Sequence, residues 1–116
     1  MDHYIIYHNP RCSKSRQTLS IMNENNLNIK IVQYLTDPPS PKELEVISRK
    51  LSISPMDFIR KKELIYTELG LNNYNASDSE LFEIMSENPK LIERPIVIKG
   101  DKAIIGRPPE NVIELF

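Results

Sequence analysis

The residue best placed for covalent chemistry is Cys12, the single cysteine of the chain, in the run Arg11-Cys12-Ser13-Lys14-Ser15-Arg16. Cysteine is among the most buried residue types, and a lone one is by default an inert core filler. Cys12 suits that default poorly, because its surroundings are polar and cationic. It follows a short apolar run, Tyr4 to Tyr7, and the turn-forming pair Asn9-Pro10, and a stretch with helical spacing comes after it. Free N–H groups and the positive end of a helix dipole would stabilise a thiolate there, with Arg11, Lys14 and Arg16 adding charge nearby. The expectation is a reactive thiol with a pKa below the free value of about 8.5.

Spacing narrows the chemistry. A cysteine-dependent phosphoryl site cradles its anion in a C-x5-R loop, but Thr18 stands where that arginine would be. What remains is C-x-x-S, Cys12 to Ser15, the one-thiol version of the thioredoxin-type C-x-x-C. With one cysteine there is no intramolecular disulfide, so a redox cycle at Cys12 needs a resolving thiol from another molecule. One Cys and two His show no zinc-ligand spacing, and no metal is expected. His8 reads either as a strand-end histidine bonded to backbone or as a group that tunes the thiolate or shuttles a proton. Arg60-Lys61-Lys62 reads most simply as a solvated helix end.

Two further cations stand out through strand register. Ile96 to Ile105 is a hairpin about Gly100-Asp101, a pair that suits a two-residue type II′ turn. Opposed residues then have numbers summing to 201, which pairs Lys99 with Lys102 and brings Arg94 roughly opposite Arg107. Pro95 has no N–H to give to Gly106, so the ladder frays at that end. Like charges across strands cost ~0.2–1 kcal/mol. Either the two arginines splay into solvent or an anion sits between them, and guanidinium forks match oxyanions bidentately.

The elements that position these residues follow in order. Tyr4 to Tyr7 is a strand. A helix from about Lys14 to Asn26 places Leu19, Met22 and Asn26 on one side, and Ile29 to Leu35 is the next strand. Strand, helix, strand makes a βαβ unit with parallel strands. Asp37-Pro38-Pro39 breaks the chain. Ser40-Pro41-Lys42-Glu43 is a capping box with proline at the first helical position, and its helix sets Leu44, Ile47 and Leu51 on one face. Ser54-Pro55 starts a short helix holding Phe58 and Ile59, and Leu64 to Leu71 is another, ended by Gly70. Ser77 to Glu80 is a second capping box, whose helix turns Leu81, Ile84 and Met85 inward before Pro89. Glu110 to Phe116 reads as a last short helix with Val112, Ile113 and Phe116 apolar.

Composition sets the frame. The 116 residues, 40% hydrophobic and 27% charged, suit one globular domain, and the net charge of −1 offers no field for nucleic acid or an anionic membrane. No apolar run approaches the ~20 residues that span a bilayer, and no secretory signal is visible, so a cytoplasmic protein is expected.

The segments YHNPRCSKSR, LIERPIVI and GRPPE, together with YLTDPPS and FIRKKE, closely resemble the glutathione- and glutaredoxin-coupled arsenate reductase family from the first strand to the C-terminus. The resemblance implies a thioredoxin-like α/β domain over residues 1–116, with a mixed four-stranded sheet and a helical insert at about 40–90 between βαβ and ββα halves. It implies Cys12 as nucleophile, Arg60, Arg94 and Arg107 as the oxyanion site, His8 and Ser15 as activating residues, and a cis peptide at Pro95. Arsenate or a similar oxyanion would be the substrate, glutathione the co-substrate and glutaredoxin the partner, acting on a monomer without bound cofactor. Two other readings share the fold: a glutathione-linked oxidoreductase with another substrate, and an RNA-polymerase-binding redox regulator. The regulators commonly carry a C-x-x-C switch, which Ser15 rules out here.

Overall fold

The computed structural model describes residues 3–116 and resolves into two compact units, 38–93 and the flanking segments together. The flanking segments build one sheet. Strand β1 (His3–Tyr7) leads to helix α1 (Ser13–Glu24) and strand β2 (Asn28–Val32), and strands β3 (Ile96–Lys99) and β4 (Lys102–Ile105) complete the order β2-β1-β3-β4. β1 and β2 are parallel, with Ile6 opposite Ile31; β3 runs antiparallel to β1, with Ile6 opposite Val97. This is the expected mixed four-stranded sheet.

The hairpin has the expected register throughout: Ile96 faces Ile105, Val97 faces Ile104 and Lys99 faces Lys102. Gly100 takes φ +58°, while Asp101 is not among the positive-φ residues, which is the dihedral pattern of a type II′ turn. Tyr4, Ile6, Met22, Val97, Val112 and Leu115 form the buried core of this unit, against which Leu19, Ile21, Leu27, Ile29 and Ile104 pack.

Several boundaries differ from the sequence expectation, each for a local reason. α1 stops at Glu24, and Asn26, expected on its apolar side, lies past the end in the left-handed conformation at φ +55°. Asparagine tolerates that C′ position well. β2 ends at Val32 because Gln33 begins a turn whose carbonyl takes the Thr36 and Asp37 amides, leaving Leu35 exposed. The last segment, Pro109–Leu115, is a 3-10 helix. Its three-residue period buries Val112 and Leu115 and turns Ile113 and Phe116 outward.

The unit 38–93 is helical. Helix α2 (Pro41–Leu51) and helix α4 (Asp78–Glu87) pack together, and both begin with fully formed capping boxes, at Ser40–Glu43 and Ser77–Glu80. Each cap satisfies two amides that the helix itself leaves open. Between them lies the short helix α3 (Leu64–Glu68), followed by Gly70 at φ +71°. The start signal at Ser54 yields only one 3-10 turn, Pro55–Asp57. Phe58 and Ile59 lie outside it: Ile59 bridges Ile92 in antiparallel fashion, with both side chains buried. The pairing of Arg60 N–H with Leu91 C=O (2.7 Å) and Glu93 N–H with Phe58 C=O (2.9 Å) satisfies the backbone that a longer helix would have used.

Candidate active site

The loop after β1 is closed by a compact set of hydrogen bonds. His8 N–H still donates to Val32 C=O (2.8 Å), extending the parallel ladder by one residue before the chain turns. Cys12 N–H then donates to Asn9 C=O (3.0 Å), and the Asn9 side chain accepts from Arg11 N–H (3.0 Å), the two-residue reach typical of asparagine in turns. Cys12 itself is extended (φ −94°, ψ 121°) and is the N-cap of α1, its carbonyl accepting from Arg16 N–H. The expected strand-to-helix junction at the cysteine is therefore present.

Ser15 is fully buried beneath this loop. Its Oγ accepts from Asn9 N–H (3.0 Å) and lies 2.6 Å from His8 Nδ1. Burial, and secondarily the charge of Arg16, hold the His8 pKa below its ordinary value, so the ring is neutral at pH 7. The neutral ring and the Ser15 hydroxyl share a single hydrogen bond at Nδ1, whichever of the two donates. Thus His8 and Ser15 do meet, and together they fasten the Asn9 amide.

Cys12 is half-buried. Burial pushes its thiol up, but the N–H of Ser15, the charge of Arg94, the N–H of Lys14 and the Arg107 guanidinium act the other way and leave its pKa below the ordinary value. The direction is as expected, and so is the part played by free N–H groups at the start of α1, while the side-chain charges differ from the expected ones. Of the three sequence neighbours Arg11, Lys14 and Arg16, Lys14 contributes through its backbone N–H. The guanidinium of Arg16 turns away to donate to Pro10 C=O at 2.9 Å. The working charges come from 82 and 95 residues further along the chain, at Arg94 and Arg107.

Register explains how those two arrive. Tyr7 pairs with Ile96, so Pro95 stands at the end of the sheet from which the Cys12 loop emerges. The Arg94–Pro95 bond is cis, as the resemblance implied, and so is Arg107–Pro108, which sequence reasoning did not anticipate. Gly106 N–H donates to Pro95 C=O (2.9 Å), whereas Pro95 has nothing to return, and the ladder ends as expected. Arg107 N–H instead closes a tight turn onto Ile105 C=O (2.9 Å). Its side chain then donates through Nη1 to Arg94 C=O (3.2 Å) and reaches Cys12 Sγ at 3.9 Å. Asn111 Nδ2, donating to the carbonyls of Ile105 and Arg107 (3.2 Å each), holds the segment from behind.

Arg60 belongs to the unit 38–93. Its Nη1 donates to Glu63 Oε1 (3.2 Å) and to Lys90 C=O (3.3 Å). The structure therefore assembles Cys12, Ser15, His8, Arg94 and Arg107 around one loop, and shows Arg60 tied to a carboxylate of its own unit. The contacts of Asn9 and Glu63 were not legible in the sequence, and Arg16, expected to add charge beside Cys12, instead donates to Pro10 C=O. Asn9 was legible only as half of a turn signal, and Glu63 only as the third residue after an arginine.

Among the described residues no group of three or more His, Cys, Asp or Glu side chains is arranged to hold a metal ion, and no helix is long and apolar enough to cross a membrane. A single thiol of lowered pKa at the start of α1, beside two arginines at the cis-proline end of a β2-β1-β3-β4 sheet, defines a thioredoxin-like protein equipped for thiol chemistry. The chain belongs to the ArsC family, whose sequence profile matches residues 7–115. It is 49% identical over 113 residues to an arsenate reductase of Haemophilus influenzae, covering 97% of each chain. It is 44% identical over 108 residues to an arsenate reductase of Neisseria meningitidis serogroup A, covering 92% of each. The solved arsenate reductase from Vibrio cholerae superposes with a TM-score of 0.95 at 42% identity, covering 99% of this chain and 98% of that one.

Proposed function

We propose that this protein reduces arsenate to arsenite with glutathione as co-substrate and glutaredoxin as the partner that restores its thiol. The observation that carries the reading is the Cys12 thiol, lowered in pKa, with a guanidinium nitrogen of Arg107 3.9 Å from its sulfur. A tetrahedral oxyanion suits such a site because the arginine forks offer paired donors to its oxygens. The Cys12 thiolate attacks arsenic, forming an S–As(V) bond and releasing one oxygen as water. Glutathione thiol then attacks the adduct. Arsenic takes two electrons and leaves as arsenite, and Cys12 and glutathione share a disulfide. In balance, arsenate, Cys12 thiol and one glutathione give arsenite, the mixed disulfide and water. Glutaredoxin and a second glutathione reduce the disulfide.

In this reading Arg94 and Arg107 hold the anion, and Arg60 supplies a third guanidinium, an assignment supported by the family resemblance. Residues 1–116 act as one domain, monomeric and cytoplasmic, with no bound cofactor. His8 and Ser15 act by keeping the loop before Cys12 in its thiolate-stabilising form. The experiment is NADPH oxidation coupled through glutathione reductase, glutathione and glutaredoxin, with and without arsenate. The expected result is an arsenate-dependent rate that Cys12→Ser abolishes. A folded protein without such a rate would sink the arsenate reading, and a rate with another disulfide substrate would favour a glutathione-linked oxidoreductase.

A further inference from the structure

Among the contacts that hold the loop between β1 and α1, four centre on Asn9 and Pro10. Three use Asn9: its carbonyl accepts from Cys12 N–H, its side chain from Arg11 N–H, and its own N–H donates to Ser15 Oγ. The fourth crosses from the first turn of α1 back to the loop, where Arg16 Nη1 meets Pro10 C=O at 2.9 Å. Pro10 has no N–H, so the loop's middle residue can be tied only through its carbonyl. Arg16 is thus anchored at both ends, its backbone N–H on Cys12 C=O (3.0 Å) and its guanidinium on Pro10 C=O.

Arg16 is an exposed side chain, and an exposed arginine on a carbonyl is usually incidental. Two further facts argue for more here. Arg16 and His8 line the same shallow cavity of 390 Å³, with Leu19, Ser20, Asn23 and Glu24. And the charge of Arg16, four residues from Cys12, acts on the imidazole of His8. Both effects converge on the same object: the neutral ring bonds Ser15 Oγ, Ser15 accepts from Asn9 N–H, and the Asn9 carbonyl holds the Cys12 amide.

We infer that Arg16 is a positioning residue for the Cys12 nucleophile, tying the Asn9–Cys12 loop to the first turn of α1 through the Pro10 carbonyl. It rests on Cys12 being the nucleophile of the proposed reaction, but not on the identity of the substrate. Arg16 touches neither the sulfur nor the anion in this role. Its loss loosens the loop that aims the thiolate while leaving the arginines that set the thiolate's pKa in place.

The test compares Arg16→Met, which keeps an apolar stem and loses donor and charge, with Arg16→Lys, which keeps a cationic donor. In Arg16→Met, hydrogen exchange at the Cys12 and Asn9 amides speeds by about fivefold, the order expected for losing one hydrogen bond. The His8 ring, followed by NMR, titrates at higher pH than in wild type. The pH midpoint of Cys12 alkylation stays put, and kcat for arsenate falls with KM nearly unchanged. Arg16→Lys restores the His8 titration and most of the exchange protection. Wild-type exchange and His8 titration in Arg16→Met overturn the inference, as does a shifted alkylation midpoint, which would make Arg16 a charge acting on the thiolate. If the wild type does not reduce arsenate, the proposed function fails, yet the exchange and titration measurements still decide the role of Arg16.

Discussion

Replacing Arg107 by alanine perturbs the thiolate and the proposed oxyanion site together, and the two effects can be read separately. Its Nη1 lies 3.9 Å from Cys12 Sγ. Two unit charges at that separation interact by about 1 kcal/mol in a water-like dielectric and by several times that in a drier site. Arg107 is exposed and Cys12 only half-buried, so screening selects the lower figure. About 1 kcal/mol is on the order of a fivefold change in the thiol–thiolate equilibrium. The sign follows from the charge: removing a cation beside the sulfur disfavours the thiolate and raises the thiol pKa. Alkylation of Cys12 by iodoacetamide at a pH below the midpoint should therefore slow by about fivefold. At high pH, where every thiol is ionised, the rate should match wild type. Independently, KM for arsenate should rise, because a fork for the anion is gone. Arg107→Lys separates the two: it keeps the charge, so the alkylation profile changes little, but a lysine cannot offer a paired fork and KM still rises. An Arg107→Ala protein with wild-type alkylation and wild-type KM would refute both uses of the guanidinium.

Other perturbations give equally directional results. Arg60→Ala should raise KM for arsenate, while Glu63→Gln, by releasing the carboxylate now on Arg60 Nη1, should lower it. The Glu63 effect should vanish in the Arg60→Ala background, and additive changes in that cycle would remove Arg60 from the anion set. His8 has a folded pKa below its unfolded value of about 6.5, so the unfolded chain binds the extra proton first. Stability is intact above that value and declines as pH falls from it toward the folded pKa. Thermal melts at pH 7.5 and 5.5 should show a drop that His8→Gln reduces, and an equal drop in both proteins would contradict the assignment.

How legible this was in the sequence depends on how local each cause is. The hairpin register followed from Gly100-Asp101 and strict alternation, and it correctly brought Arg94 and Arg107 to one end. Both capping boxes followed from four-residue patterns, since the caps are satisfied within those residues. Where the structure departed, the cause lay further off. The tight turn at Arg107 depends on what Pro95 cannot donate across the ladder, and Phe58 and Ile59 are drawn from a helix by a bridge to Ile92, 33 residues from Ile59. The cations beside Cys12 in sequence were natural candidates for lowering its pKa, yet side-chain direction sends Arg16 to Pro10, and the cationic help comes from Arg94 and Arg107 alongside the Ser15 and Lys14 amides. Proximity in sequence identified the charged region and misassigned the charges.

The central claim is that Cys12 joins arsenic and then glutathione within one turnover. The most direct measurement is intact-protein mass spectrometry after a quench of reduced protein with arsenate and glutathione, with glutaredoxin left out. The expected product is one glutathione per chain, held by a reductant-sensitive disulfide at Cys12, formed only when arsenate is present and with one arsenite released per adduct. A protein that stays unmodified under these conditions, or that takes up glutathione to the same extent without arsenate, would contradict it.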